Sequence, residues 1–114
     1  MNQEQVYGSI TVSPRAIAAV AARAARQSYG VVGMASRHRF DGLAARNPSH
    51  GVEVTIEANQ ILIDLYLVVE YGTRISSVAT SVANTVQYQV ERFMGLPVAA
   101  VNVHVQDLRV SGQE

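Results

Sequence analysis

The 114-residue chain has no cysteine, no lysine and no tryptophan. Without cysteine there is no disulfide, no thiolate nucleophile and no zinc site of the usual Cys type. Aromatic residues are few, five tyrosines and two phenylalanines, which leaves little surface for stacking nucleobases. Charged residues make up only 16% against 48% hydrophobic, the balance of a globular domain and not of a disordered tail. No apolar run approaches the roughly 20 residues needed to cross a bilayer. The start, MNQEQVYGSI, has neither the basic nor the apolar stretch of a signal peptide. These absences read as a soluble, cytoplasmic protein with no direct membrane insertion, which reaches a membrane only through a partner. One domain is expected over residues 1–114, with a core from about 8 to 108.

The net charge of zero hides an asymmetry. Residues 1–50 carry six arginines against Glu4 and Asp41, a net of +4. Residues 51–114 carry three arginines against seven acids, a net of −4. Such a split supports head-to-tail association or an acidic ligand on the basic side, and it disappears if folding interleaves the halves. The exclusive use of arginine fits a G+C-rich genome as well as a need for bidentate contacts.

Gly8–Val12 alternates as a short strand. Ser13 and Pro14 then form a helix start, an N-cap followed by proline at the first helical position. Ile17, Val20, Ala21, Ala24 and Ser28 follow the spacing of a buried stripe, with Arg15, Arg23 and Arg26 opposite. Gly30 ends the helix in a left-handed cap. Val31–Ser36 reads as a strand, and RHRFDGLAARNPSH after it as a loop. Val52, Val54 and Ile56 alternate with Glu53, Thr55 and Glu57, a half-exposed strand. Ala58, Asn59 and Gln60 turn the chain, with Asn59 suited to positive φ. Ile61–Glu70 is apolar on both faces and so belongs in the middle of a sheet. A second helix runs from Thr73–Ser76 to about Met94. Its expected core stripe is Ile75, Val78, Ala79, Val82, Val86, Val90 and Phe93, within roughly 120° of its circumference. Gly95 caps it, Pro97 prevents its resumption, and Val101, Val103 and Val105 alternate along a last strand that frays after Leu108. The order β-α-β-β-β-α-β specifies an α+β, two-layer sandwich, a mixed sheet with two helices on one face.

GSITVSPRAI, YGVVGMA, GVEVTIEANQILIDLYLVVEYG and TVQYQVERFMGLPVAAVNVHVQDL, in this order and spacing, resemble the alkaline shock protein, or envelope stress response, family of mainly Gram-positive bacteria. The resemblance runs from about Gly8 to Leu108. It implies a small non-enzymatic cytoplasmic protein of cell-envelope homeostasis, with no cofactor. Some family members self-assemble and are held beneath the membrane by a separate membrane-anchored relative, and others are encoded beside kinases of the dihydroxyacetone-kinase type that act on fatty acids. The second helix departs from the family pattern in being poor in glutamate and lysine.

Three chemistries compete for the polar residues. Glu53, Asp64, Tyr66 and His104, with Asn102, share a sheet face if their strands are in register, and Asp64 orienting His104 would begin a general-base arrangement. No serine or cysteine nucleophile is fixed near them, so a solvated face is the simpler expectation and no catalytic residue is assigned. His38, His50 and His104 have no ligand spacing, so no metal site is assigned. Arg37, His38, Arg39 and Arg46 make a basic loop, yet there is no GXXG turn, and a pI of 6.8 argues against nucleic acid. The remaining class is protein–protein contact. Arg15, Arg23 and Arg26 are available to meet an acidic neighbour, and Ser77, Ser81, Asn84 and Tyr88 form an uncharged packing surface on the second helix. The reading that follows is a self-assembling or adaptor protein that binds other proteins near the membrane. An RNA- or ligand-binding module using the loop 37–50 stands as the alternative.

Overall fold

The computed structural model describes residues 11–35 and 51–110. Within them the order is α1 (Pro14–Arg26), β1 (Val31–Met34), β2 (Val52–Glu57), β3 (Gln60–Glu70), α2 (Ile75–Met94) and β4 (Ala100–Arg109). This is an α+β fold with two helices over a four-stranded mixed sheet. The strand expected at Gly8–Val12 lies mostly outside the described residues. Thr11 and Val12, which are described, are not in a strand.

α1 begins as its sequence requires. Ser13 is extended, its hydroxyl accepts from the Ala16 N–H at 3.2 Å, and Pro14 is the first helical residue. Ile17, Ala18, Ala21, Ala22, Ala24 and Ala25 are buried, a wider arc than the expected stripe. Alanine lets the helix approach both α2 and the sheet closely, so it buries two flanks. The helix ends at Arg26, earlier than expected, with Gln27 as C-cap. Gly30 instead makes the turn into β1 at φ +89°, where an added Cβ would stand 2.6 Å from a methyl of Val78.

β3 organises the sheet. Ile63, Leu65, Leu67 and Val69 are fully buried under the helices. On one edge β4 runs parallel to it, from Leu62↔Ala100 to Glu70↔Arg109, with a bulge at Gln106. On the other edge β1 pairs with Leu67–Val69 and β2 with Gln60–Leu65, both antiparallel. β1 and β2 therefore lie end to end, like one strand interrupted. The junction is Tyr66, whose carbonyl accepts from the Ala35 N–H and whose N–H donates to the Gly51 carbonyl, each at 2.8 Å. β4 does not fray at Leu108, because the Arg109 carbonyl accepts from the Tyr71 N–H at 2.8 Å.

α2 differs from its expected packing. Val78, Val82, Val86 and Val90 are buried, but Ile75 and Phe93 are 43% and 51% exposed. A row of every fourth residue drifts around the helix by about 40° per step, so the buried line turns away from both terminal apolar residues. Glu91 is half-buried although it lies on the side of α2 away from the valine line. It accepts from the Val98 N–H at 2.9 Å and from the Gln87 side chain at 3.3 Å, pinning the link into β4. Gly95 caps the helix at φ +73° as expected.

Two outcomes follow for stability. Gly30→Ala should lower unfolding free energy by about 3 kcal/mol, from the left-handed φ and the Val78 overlap together. A Gly30→Ala/Val78→Ala pair measured by urea melts should show favourable coupling, and strict additivity would remove the overlap from the account. The β2–β3 hairpin holds both Ala58 (φ +50°) and Asn59 (φ +64°) in the left-handed region, a type I′ turn in which alanine is the poorer residue. Ala58→Asn should raise stability by about 0.5 kcal/mol; a lowered melting temperature would contradict that origin.

Candidate functional site

The face of the sheet turned away from the helices is where the polar strand residues meet. Cross-strand register sets Glu53 opposite Asp64 on β2 and β3, and Asn102 and His104 opposite Asp64 and Tyr66 on β4. Pairing residues share a face, so the alternation of three strands delivers all five to one surface. His104 Nε2 lies 3.0 Å from Asp64 Oδ1, and the Asn102 amide donates to the same oxygen at 3.3 Å. The His104 ring is stacked on Tyr66, with centroids 4.7 Å apart and planes 12° from parallel. The Tyr66 hydroxyl donates to Glu53 at 3.3 Å. The structure thus brings together Glu53, Asp64, Tyr66 and His104.

The chemistry available to this cluster is limited by its geometry. A hydrogen bond to a carboxylate oxygen requires a proton on Nε2, so Asp64 and the Tyr66 ring together fix the imidazole in orientation. That satisfies one requirement of a general base, a positioned imidazole. The next requirement is a hydroxyl or thiol in reach, and no hydroxyl among the described residues hydrogen-bonds His104. Among the described residues, no group of three or more His, Asp or Glu could hold a metal ion. Tyr66 is only 8% exposed although it faces away from the helices, whereas His104 remains open to solvent. Tyr66 acts as the wall against which the imidazole lies. Its burial, and that of Val68 beside it, was not legible in the alternation of β3. Their apolar character was the available signal.

The second candidate surface is the outer side of the helices. Arg15, Arg23 and Arg26 on α1 are exposed, as are Ser77, Ser81, Asn84 and Tyr88 on α2. Ser76, Ser77, Thr80, Ser81, Asn84 and Thr85 line a shallow, open hydroxyl-rich depression along α2. Tyr88 accepts from the Arg92 guanidinium at 3.1 Å, which also lies over its ring. The two surfaces are on opposite sides of the molecule and share no residue. Arg37, His38, Arg39, Arg46 and His50 of the basic loop lie outside the described residues. No helix among the described residues is long and apolar enough to cross a membrane.

Comparison with known proteins sets this geometry in a family. Residues 2–110 match the family of alkaline shock protein 23, described by a cell envelope-related function. The uncharacterized protein YloU of Bacillus subtilis (strain 168) is 47% identical over 110 residues, covering 92% of each chain. A stress response regulator gls24 homolog of Streptococcus pyogenes serotype M3 is 33% identical over 63 residues, which is 55% of this chain and 35% of that protein. Among solved structures, the copper form of the MamM CTD superposes with a TM-score of 0.52 at 16% identity, over 87% of this chain and 89% of that one. That last likeness is one of fold alone. Matched along nearly its whole length, the chain belongs to the alkaline shock protein 23 family, whose function is related to the cell envelope.

Proposed function

We propose that this protein is a non-catalytic component of cell-envelope homeostasis that acts by binding other proteins, including copies of itself, near the membrane. The observation that carries this reading is the incomplete use of α2. Its buried line is four valines, while Ile75, Tyr88 and Phe93 along the same helix and Leu96 just after it are each more than 40% exposed. Exposed apolar side chains at both ends of one helix leave surface that a protein partner can cover. The neutral hydroxyls of Ser77 and Ser81, on the outward side of the helix with Tyr88, carry little desolvation cost compared with charges. The stress response named for the gls24 homolog of Streptococcus pyogenes is consistent with the same setting. A membrane-anchored relative, or a kinase of the fatty-acid type, is the kind of partner such a surface serves.

The polar sheet face has a supporting role in this reading. Asp64 and His104 tie β3 to β4 across an open surface, and their contact strengthens the sheet without turning over a substrate.

Affinity co-purification from the native host in mild detergent tests the proposal. The expected partners are a membrane-anchored protein or a second member of the family, and the His104→Ala variant should recover the same set. Recovery of ribosomal and RNA-associated proteins alone would overturn the reading. So would a folded His104→Ala variant that keeps every partner but fails to complement an envelope-stress phenotype of the deletion strain, because that pattern assigns the imidazole a chemical task.

A further inference from the structure

Among the described residues, nine large apolar side chains are more than 40% exposed, and five of them, Tyr29, Tyr71, Ile75, Leu108 and Val110, gather at one end of the domain. This is the end at which β3 and β4 finish and α2 starts. Glu70 pairs with Arg109 in the last step of the parallel ladder, and the Tyr71 N–H donates to the Arg109 carbonyl at 2.8 Å. The turn before β1 arrives at the same place, because the Gly30 carbonyl accepts from the Glu70 N–H at 2.9 Å. Tyr29 and Tyr71 line one depression there, beside Val31 and Val32, while Ile75 and Leu108 line a second with Val105. Ile75 is the first residue of α2, so it adds to the end of the domain and not to the outer side of the helix. Tyr66 and Tyr88 have ring partners, an imidazole and a guanidinium. The rings of Tyr29 and Tyr71 have none among the described residues and are open to solvent.

Basic residues gather at the same end. Arg23 and Arg26 are in the last turn of α1, Arg74 is the N-cap of α2 and Arg109 ends β4. Four of the six described arginines are therefore here, all exposed. The acids at this end are Glu70 and Asp107; counting both as full charges leaves four positive against two negative, a net of +2. The far ends of the two helices and the β2–β3 hairpin set Arg15 and Arg92 against Glu57 and Glu91, a net of zero. None of the four arginines forms an ion pair among the described residues, where His104 and Asp64 make the one such contact. Tyrosine rings, aliphatic side chains and arginines mixed in this way suit the boundary of a bilayer. A phenol keeps its hydroxyl in water while its ring enters the headgroup layer, and guanidinium groups meet the phosphates.

We propose that this end of the domain docks on an anionic lipid surface. The positive excess sets the sign of the surface, and the apolar side chains contribute burial at the acyl boundary. These groups come from the tips of α1, β3, α2 and β4, all at one end, so a flat surface meets them together without a matching groove. Each arginine close to an anionic leaflet is worth about fivefold in partitioning, and the apolar contact is the second signal that stable binding requires. No spanning segment is needed, and no helix among the described residues is long and apolar enough to provide one. The contact goes beyond the protein binding proposed above, because it is made with lipid itself. It leaves Phe93 and Leu96, at the other end of α2, for a protein partner.

The test is co-sedimentation of the full chain with vesicles at about 0.1 M salt, comparing phosphatidylglycerol and phosphatidylcholine in equal parts with phosphatidylcholine alone. Arg26→Gln/Arg74→Gln removes two charges from the proposed contact, Arg15→Gln/Arg92→Gln removes two from elsewhere, and Tyr29→Ser/Tyr71→Ser removes the rings. All six positions are exposed, and circular dichroism confirms folding. Leu108→Ser takes the place of the tyrosine pair if that variant unfolds. The wild type should sediment with the anionic vesicles and stay in solution with the neutral ones. Arg26→Gln/Arg74→Gln should bind about tenfold more weakly, and Arg15→Gln/Arg92→Gln within about twofold of the wild type. Tyr29→Ser/Tyr71→Ser should bind several-fold more weakly at unchanged net charge. Equal weakening by the two arginine pairs would reduce the binding to general charge and overturn the docking end. Full binding without the rings, or a folded wild type that ignores anionic vesicles, would overturn it too. A chain that ignores vesicles but loses its co-purified partners in Tyr29→Ser/Tyr71→Ser would assign this end to a protein contact. That outcome overturns lipid docking and leaves the protein-binding reading intact.

Discussion

A central strand with neighbours on both edges must satisfy two conditions at once. Its backbone donors and acceptors are paired on each side, and its side chains must suit two different surroundings. β3 meets both along Gln60–Glu70. Its odd-numbered residues, from Ile63 to Val69, are sealed beneath the helices, and its even-numbered residues form the spine of the opposite face. Everything else takes its position from this strand. β4 inherits its parity, so Asn102 and His104 come to Asp64 and Tyr66; β2 does the same for Glu53. A slip of one residue between β3 and β4 ahead of the bulge at Gln106 would turn Val101, Val103 and Val105 to solvent and His104 towards the core.

The elements whose signal is local chemistry are legible in the sequence. Ser13-Pro14 began a helix, Gly95-Leu96-Pro97 ended one, and Asn59 marked the hairpin. The unbroken apolar character of Ile61–Glu70 announced a central strand. The convergence of Glu53, Asp64, Tyr66 and His104 was legible as far as alternation goes, since parity alone puts them on one side. What was not legible depends on relations between elements. α1 ends at Arg26, and Gly30 makes a separate turn where Val78 of a different helix leaves no room for a side chain. The exposure of Ile75 and Phe93 arises because the neighbours of α2 cover one drifting row of every fourth residue, and which row they cover is set by those neighbours and not by the helix. The role of Glu91 is not legible in the periodicity of α2, because its partner, the Val98 N–H, belongs to the link that follows the helix.

The two candidate surfaces owe their character to different sources. The sheet face is held together by contacts between strands: a stacked ring pair, a shared carboxylate oxygen and a hydroxyl–carboxylate bond. It is ordered because its members hold one another. The helix face has few such ties beyond Arg92 and Tyr88, and its cationic side chains are oriented by the helices alone. A surface of the first kind is preorganised and resists remodelling. One of the second kind adapts to what it meets, at the cost of ordering long side chains on contact.

The meeting of Ala35 and Gly51 on the two backbone groups of Tyr66 has a mechanical consequence. Both ends of the intervening chain are anchored by the same residue, and each anchor holds its own strand in register without reference to what lies between them. One residue of β3 thus holds two chain ends, and a side-chain change at Tyr66 leaves both ties in place because each is made by backbone groups.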